Sequence, residues 1–284
     1  MNGKHILIPG GTNGIGLAAA DALVALGANV AIVGRNATRT KIAAARIKAA
    51  GKGATVGTFI ADLSSQTAVR NLAAEVLGRY PRLDVLVNNA GAMYTTRQVS
   101  VDGIELTWAV NHIAPFLLTT LLLDRLRESA PARIITTASE AHQGTHIPFD
   151  DLNAERFYRG FGRYGQTKLA NILFTRELGR RLEGSGVTAS CFHPGLVASG
   201  FNRNNGLLMN LAMTVLRPVS RGPEKGAETL VWLASSPVAP KINGGYYVDM
   251  EWRPPSPEGQ EMTTAKRLWD LSEAQCAGLG QGHG

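Results

Sequence analysis

Short apolar runs alternate with longer amphipathic stretches along the chain. The runs fall at residues 6–8, 30–33, 55–60, 85–88, 133–137, 187–192 and 246–248, and several are apolar at every position. Between them, apolar residues recur at helical spacing over 15–26, 38–50, 66–77, 104–127, 166–182 and 224–234, with a last amphipathic stretch at 258–277. Strands apolar on both faces are buried on both sides, and strand alternating with helix requires parallel crossovers. The pattern therefore predicts an α/β fold, a doubly wound and mostly parallel seven-stranded sheet with helices on both faces. No repeat, linker or composition break interrupts residues 1–284, so one domain is expected. Two stretches leave the rhythm, 140–163 and 196–221, each directly after a predicted strand. The second is rich in Leu and Met and is expected to be a substrate lid; residues 256–284 are expected to form a C-terminal helical tail.

Composition narrows the possibilities. Hydrophobic residues make up 44% and charged residues 18% of 284 positions, which excludes an intrinsically disordered chain. The net charge of +7 comes from basic residues scattered along the sequence, mostly Arg, so no nucleic-acid partner is expected. The longest apolar stretch, 113–123, is short for a bilayer and is followed by Asp124, Arg125 and Arg127; no membrane span is expected. The first residues show no secretory cleavage pattern, and Cys191 and Cys276 offer neither a disulfide framework nor metal spacing. A cytoplasmic address follows as the expectation. His112, His142 and His146 lie near the segments with chemical promise, but without zinc-ligand spacing; packing or substrate-loop roles are expected, and no metal.

The first candidate chemistry is Gly10-Gly11-Thr12-Asn13-Gly14-Ile15-Gly16, between the first strand and the first helix. Glycines there let the backbone turn tightly beneath a pyrophosphate seated on the positive end of the helix. The spacing is G-x-x-x-G-x-G rather than the G-x-G-x-x-G of larger dinucleotide domains. About twenty residues on, where an acid would accept hydrogen bonds from a ribose, the second strand ends in Gly34 and Arg35. A guanidinium there pairs with a 2′-phosphate, which favours NADP(H) over NAD(H).

Further motifs then appear in order: Val87-Asn88-Asn89-Ala90-Gly91, Ser139 at the end of the fifth strand, Tyr164-Gly-Gln-Thr-Lys168 and His193-Pro194-Gly195. With these the chain resembles the classical short-chain dehydrogenase/reductase family, a Rossmann fold, over nearly its whole length. It is most similar to the retinol dehydrogenase-like branch, through Asp150-Asp151-Leu152-Asn153, residues 165–182 and Gly244-Gly245-Tyr246-Tyr247-Val248-Asp249. The resemblance implies a Tyr-Lys-Ser-Asn site made of Tyr164, Lys168, Ser139 and Asn111. Tyr164 and Lys168 stand one helical turn apart, and a nearby ammonium favours the phenolate. Pro115, four residues after Asn111, cannot donate to the Asn111 carbonyl, so a kink that frees this carbonyl for a relay water is expected. By resemblance the cofactor contacts are Gly10, Thr12, Asn13, Gly14, Ile15, Gly16, Arg35, Asp62, Leu63, Asn88, Ala90, Gly91, Tyr164, Lys168, Pro194, Gly195, Val197 and Ser199.

The resulting expectation is an oxidoreductase moving a hydride between NADP(H) and an alcohol or carbonyl compound of lipophilic character. A homodimer or homotetramer is implied by resemblance alone. Two rivals remain. A sugar-nucleotide epimerase or dehydratase would carry a different glycine spacing and a longer C-terminal region. A non-catalytic NADP(H)-binding redox sensor would not need Ser139, Tyr164 and Lys168 intact. Pro9 departs from the family's usual Thr, and an altered start to the phosphate loop is expected from it.

Overall fold

The computed structural model describes residues 1–51, 53–197, 220–238 and 242–277. Strands β1 (His5–Pro9), β2 (Asn29–Gly34), β3 (Val56–Ile60), β4 (Val85–Asn88), β5 (Ala132–Thr137), β6 (Val187–His193), β7 (Gly245–Val248) and β8 (Glu251–Arg253) form one sheet. The helices are α1 (Gly14–Ala25), α2 (Ala37–Ala50), α3 (Gln66–Arg79), α4 (Leu106–Glu128), α5 (Gly160–Arg181), α6 (Pro223–Ser235), α7 (Pro257–Gln260) and α8 (Met262–Ala277).

The apolar runs behave as buried parallel strands do. In β1, Ile6 and Ile8 face one side with α1, α2 and α6, while Leu7 faces the other with α3, α4, α5 and α8. Each face holds its own core, and fully buried Trp108, Phe116, Leu23 and Ile32 are among its largest members. Each such side chain contributes roughly 1.5–3 kcal/mol of burial. The strand order β3-β2-β1-β4-β5-β6-β7-β8 reverses direction between β1 and β4. Loops leaving β1 and β4 therefore part from each other and open a crevice at the carboxyl edge of the sheet.

Three expectations need correction. The sheet has eight strands, not seven, because β8 returns antiparallel to β7. Its residues are all exposed, so no apolar pattern announces them. The two-residue turn uses positive φ at Asp249 (49°) and Met250 (65°), a hairpin geometry normally signalled by Gly or Asn. Arg221 bridges both carboxylate oxygens of Asp249, and Thr229 Oγ1 accepts the Met250 N–H at 3.2 Å, which holds the turn without glycine. Second, α5 begins at Gly160, six residues before the expected 166, and so carries Tyr164 as well as Lys168.

Third, the C-terminal stretch is docked rather than a tail. Trp269 stacks on Phe174 (5.8 Å, 17°) and meets Phe116 edge-on at 4.9 Å; residues 278–284 lie outside the described residues. α4 is long and apolar enough, by length and composition, to cross a bilayer, yet 67% of its most apolar stretch is buried within the fold. It serves here as a core helix.

Candidate active site

A cleft of about 1040 Å³ lies along the carboxyl edge of β1 to β6. At one end is the glycine loop. Gly10 has φ +75°, and a Cβ there would stand 2.8 Å from Ala90 Cα, so only glycine lets the loops after β1 and β4 approach this closely. Pro9 costs this loop no anchor, because the amides of Gly10 and Gly11 donate to Val33 O (3.0 Å) and Ile8 O (3.1 Å).

The caps of the first three helices differ in a telling way. Asn36 caps α2 by accepting from Arg39 N–H, and Ser65 caps α3 by accepting from Ala68 N–H. The N-cap residue of α1, Asn13, makes no such side-chain bond, and the first turn of α1 holds no acid. The first amides of α1 thus face the cleft without a side-chain cap, as an anion site requires. At the end of β2 the cleft is edged by Arg35 and also by Arg39. Two guanidiniums and no carboxylate at this strand end suit a phosphate better than a ribose diol. Asp62 and Leu63 line the same region, with Asp62 Oδ1 accepting from Ser64 N–H (3.0 Å) and Ser64 Oγ (2.8 Å). The residues present therefore fit a nicotinamide dinucleotide.

The other end of the cleft gathers Ser139, Tyr164 and Lys168. Ser139 leaves β5 in extended backbone (φ −165°) and starts a short turn of 3₁₀ helix, Glu140–His142, with Oγ accepting from Ala141 N–H at 3.2 Å. α5 runs directly over this turn: a Cβ on Gly165 would lie 2.4 Å from the Ala141 carbonyl oxygen. That close approach brings the Tyr164 phenol into hydrogen-bonding range of Ser139. Lys168 is almost fully buried; its Nζ lies 5.4 Å from the Tyr164 ring centre and donates to Thr137 O at 2.9 Å. Burial pushes the Tyr164 phenol up to about 12, with the Ser139 hydrogen bond pulling the other way. Burial alone pulls Lys168 down to about 8.

Asn111 sits behind this wall rather than in it. α4 contains a π-type turn over Ala109–Ile113, in which Ala114 N–H donates to Ala109 O five residues back. This turn replaces the simple proline kink expected at Pro115, and such turns frequently mark functional sites. The Asn111 amide clamps residue 92 from both sides: Oδ1 accepts Ala92 N–H at 2.7 Å, while Nδ2 donates to Ala92 O at 2.9 Å and to Thr167 Oγ1 at 3.0 Å. The loop after β4 is thereby tied to α5.

Most expected contacts line the cleft: Gly10, Thr12, Asn13, Gly14, Ile15, Arg35, Asp62, Leu63, Ala90, Gly91, Pro194, Gly195 and Val197. Three do not. Gly16 packs under the loop, where a Cβ would meet Gly10 O at 2.4 Å. Asn88 turns into the core and donates to Thr119 Oγ1 (2.9 Å) and Thr136 Oγ1 (3.4 Å). Ser199 lies outside the described residues. Arg39 and Asn89 escaped the sequence reading. Asn89 Nδ2 donates to Gly10 O (3.2 Å) and its Oδ1 accepts from Thr137 Oγ1 (3.5 Å), so one side chain spans three strand ends. Its neighbour Asn88 shares the motif, and only the alternation of sides along the strand separates their roles.

The sequence profile of the short chain dehydrogenase family matches residues 4–207. Retinol dehydrogenase 14 of Mus musculus is 39% identical over 287 residues, which cover 96% of this chain and 86% of that protein. Among solved structures, the Pseudomonas aeruginosa RhlG/NADP active-site complex superposes with a TM-score of 0.71 at 28% identity, covering 88% of this chain and 95% of the other. A short chain dehydrogenase from Burkholderia cenocepacia J2315 in complex with NADP gives a TM-score of 0.69 at 28% identity, covering 87% and 96%. With a family profile spanning the glycine loop and the Tyr-Lys helix, and a relative matched nearly end to end, the chain belongs to the short-chain dehydrogenase/reductase family of nicotinamide-binding oxidoreductases.

Proposed function

We propose that this protein is an NADP(H)-dependent oxidoreductase interconverting an alcohol and an aldehyde or ketone, with a lipophilic substrate. The observation that carries the reading is the meeting of Ser139, Tyr164 and Lys168 at the end of the cleft away from Arg35 and Arg39. When bound, the nicotinamide supplies or accepts the hydride. The chain's own residues do the rest. The Tyr164 hydroxyl gives its proton to the carbonyl oxygen during reduction and takes it back during oxidation. Ser139, whose Oγ already accepts Ala141 N–H, directs its own O–H toward the reacting oxygen and stabilises the charge that grows there. Lys168 would hold the cofactor ribose, and the Ser139 hydrogen bond counters the rise that burial imposes on the phenol. Asn111, its side chain fixed by the clamp on residue 92, would offer its backbone carbonyl to the relay water.

Several features support the finer assignments. Arg35 and Arg39 favour the 2′-phosphate, and two structural neighbours are complexes with NADP. Met93, Tyr94, Val110, Phe161 and Leu196 give the substrate end an apolar lining, with Phe161 69% and Leu196 51% exposed. The expected lid, 196–221, falls mostly outside the described residues. Its ends are described, and Arg221 N–H donates to Leu196 O at 2.7 Å, so the segment leaves and returns at the rim of the cleft. Buried free thiols at Cys191 and Cys276 accord with a cytoplasmic address.

A panel of lipophilic aldehydes and ketones, followed by loss of NADPH absorbance, tests the reading. Turnover with NADPH well above that with NADH is expected, and Arg35→Asp should move the preference toward NADH by about tenfold or more, the loss of a charge-assisted phosphate contact. Tight NADPH binding with no turnover of any compound would instead identify a non-catalytic sensor.

A further inference from the structure

His142 was expected to serve packing or the substrate loop, but it is completely buried beneath Ser139 and both of its ring nitrogens are engaged. Nδ1 lies 2.7 Å from Ser139 O, which can only accept, so Nδ1 carries the proton. Nε2 accepts the backbone N–H of Ser256 at 3.1 Å. The two bonds fix one neutral tautomer, and burial, which pulls the ring's pKa down, favours the same neutral form. The Tyr246 ring meets the imidazole edge-on at 5.4 Å and limits its rotation. Ser256 in turn caps α7, its Oγ accepting from Gly259 N–H, and is itself buried. By contrast, the buried His112 leaves its Nδ1 without a hydrogen-bond partner. A ring satisfied at both ends, joining a catalytic peptide to a segment over a hundred residues away, is more than filler.

We propose that His142 is a positioning residue, tying the Ser139 carbonyl to the Ser256 amide so that the C-terminal segment becomes part of the support that aims the Ser139 hydroxyl. This rests on the reading of Ser139 given above. The backbone N–H of His142 also reaches Ser139 O, at 3.2 Å, so loss of the ring contact frees the peptide to rock without leaving its oxygen unpaired. The rate should therefore fall while cofactor binding stays.

Two amide substitutions separate the legs of the bridge. Asn places its side-chain NH₂ where Nδ1 lies and keeps the donor to Ser139; Gln reaches the place of Nε2 and keeps the acceptor for Ser256. Because each breaks one leg of the bridge, His142→Gln and His142→Asn should both lower kcat about tenfold with KM for NADPH unchanged, since misplacing a catalytic group costs rate rather than affinity. Ser139→Ala, measured alongside, should lose about a hundredfold. The parental rate in either variant, while Ser139→Ala is crippled, would overturn the role of His142 alone. Ser139→Ala at the parental rate would overturn the reading of Ser139 and this inference together. In the unaltered protein, ¹⁵N spectra should show a protonated Nδ1 and an unprotonated Nε2 for His142; the opposite tautomer would also overturn the proposal, whatever the variants' folding.

Discussion

Lys168 shows how much a single buried charge demands of this fold. Its ammonium has one described hydrogen bond, to Thr137 O, and burial holds its pKa near 8 against an ordinary 10.5. Below about pH 8 the group is charged in both folded and unfolded chains, and the full cost of burying it is present. Between about 8 and 10.5 the unfolded chain holds more protons than the folded one, so stability rises with pH. Denaturation of the cofactor-free parent and of Lys168→Met across this window should show their stability difference moving in the parent's favour by about 1–3 kcal/mol. A difference that stays flat would mean that Lys168 is not charged and desolvated as described. Ser139, Tyr164 and Lys168 were legible as residues because their spacing fits a strand end and one helical turn. Arg39, Asn89 and His142 were not, since each acts through a contact that only the folded backbone creates.

At the level of elements, α4 and α5 are fastened together by a buried ion pair. Arg163 Nε lies 2.7 Å from Glu105 Oε2, with side chains 1% and 0% exposed. Glu105 also accepts the N–H groups of Thr107 and Trp108 at the start of α4 (both 2.9 Å), and the Arg163 guanidinium lies 4.6 Å from the Trp108 ring centre and donates to Leu152 O. Asn111 and Tyr164 each stand within two turns of this clasp. Arg163→Met leaves a buried carboxylate without its partner and should cost about 3–5 kcal/mol in denaturant unfolding. A loss under about 1 kcal/mol would show that the pair does not hold the helices.

The apolar runs predicted β1 to β7 because those strands are buried, whereas β8 has no buried face to mark it. The first turn of α5 was hidden by Gly160, Gly162 and Gly165, which weaken a helical pattern. Two of them are needed for contact: a Cβ on Gly160 would lie 2.4 Å from Tyr94 O, and one on Gly165 2.4 Å from Ala141 O. The residues that bring the catalytic helix close to its partners are the ones that obscured its start.

Over the whole molecule, the sheet gathers the glycine loop with Arg35 and Arg39, and Ser139, Tyr164 and Lys168, in one cleft fed by the loops after β1 to β6. That arrangement was readable because each motif directly follows its strand. The substrate was not, because composition alone gives no shape to the apolar lining at Met93, Tyr94, Val110 and Phe161. The sharpest test is kcat of Tyr164→Phe with NADPH and the best carbonyl compound, with NADPH affinity measured in parallel by fluorescence. Removing the one hydroxyl that exchanges the proton should lower kcat at least about a thousandfold, within the range general acid–base catalysis contributes, and leave NADPH affinity within about threefold. A variant that reduces the compound at the parental rate would contradict the assignment of Tyr164 as the proton donor.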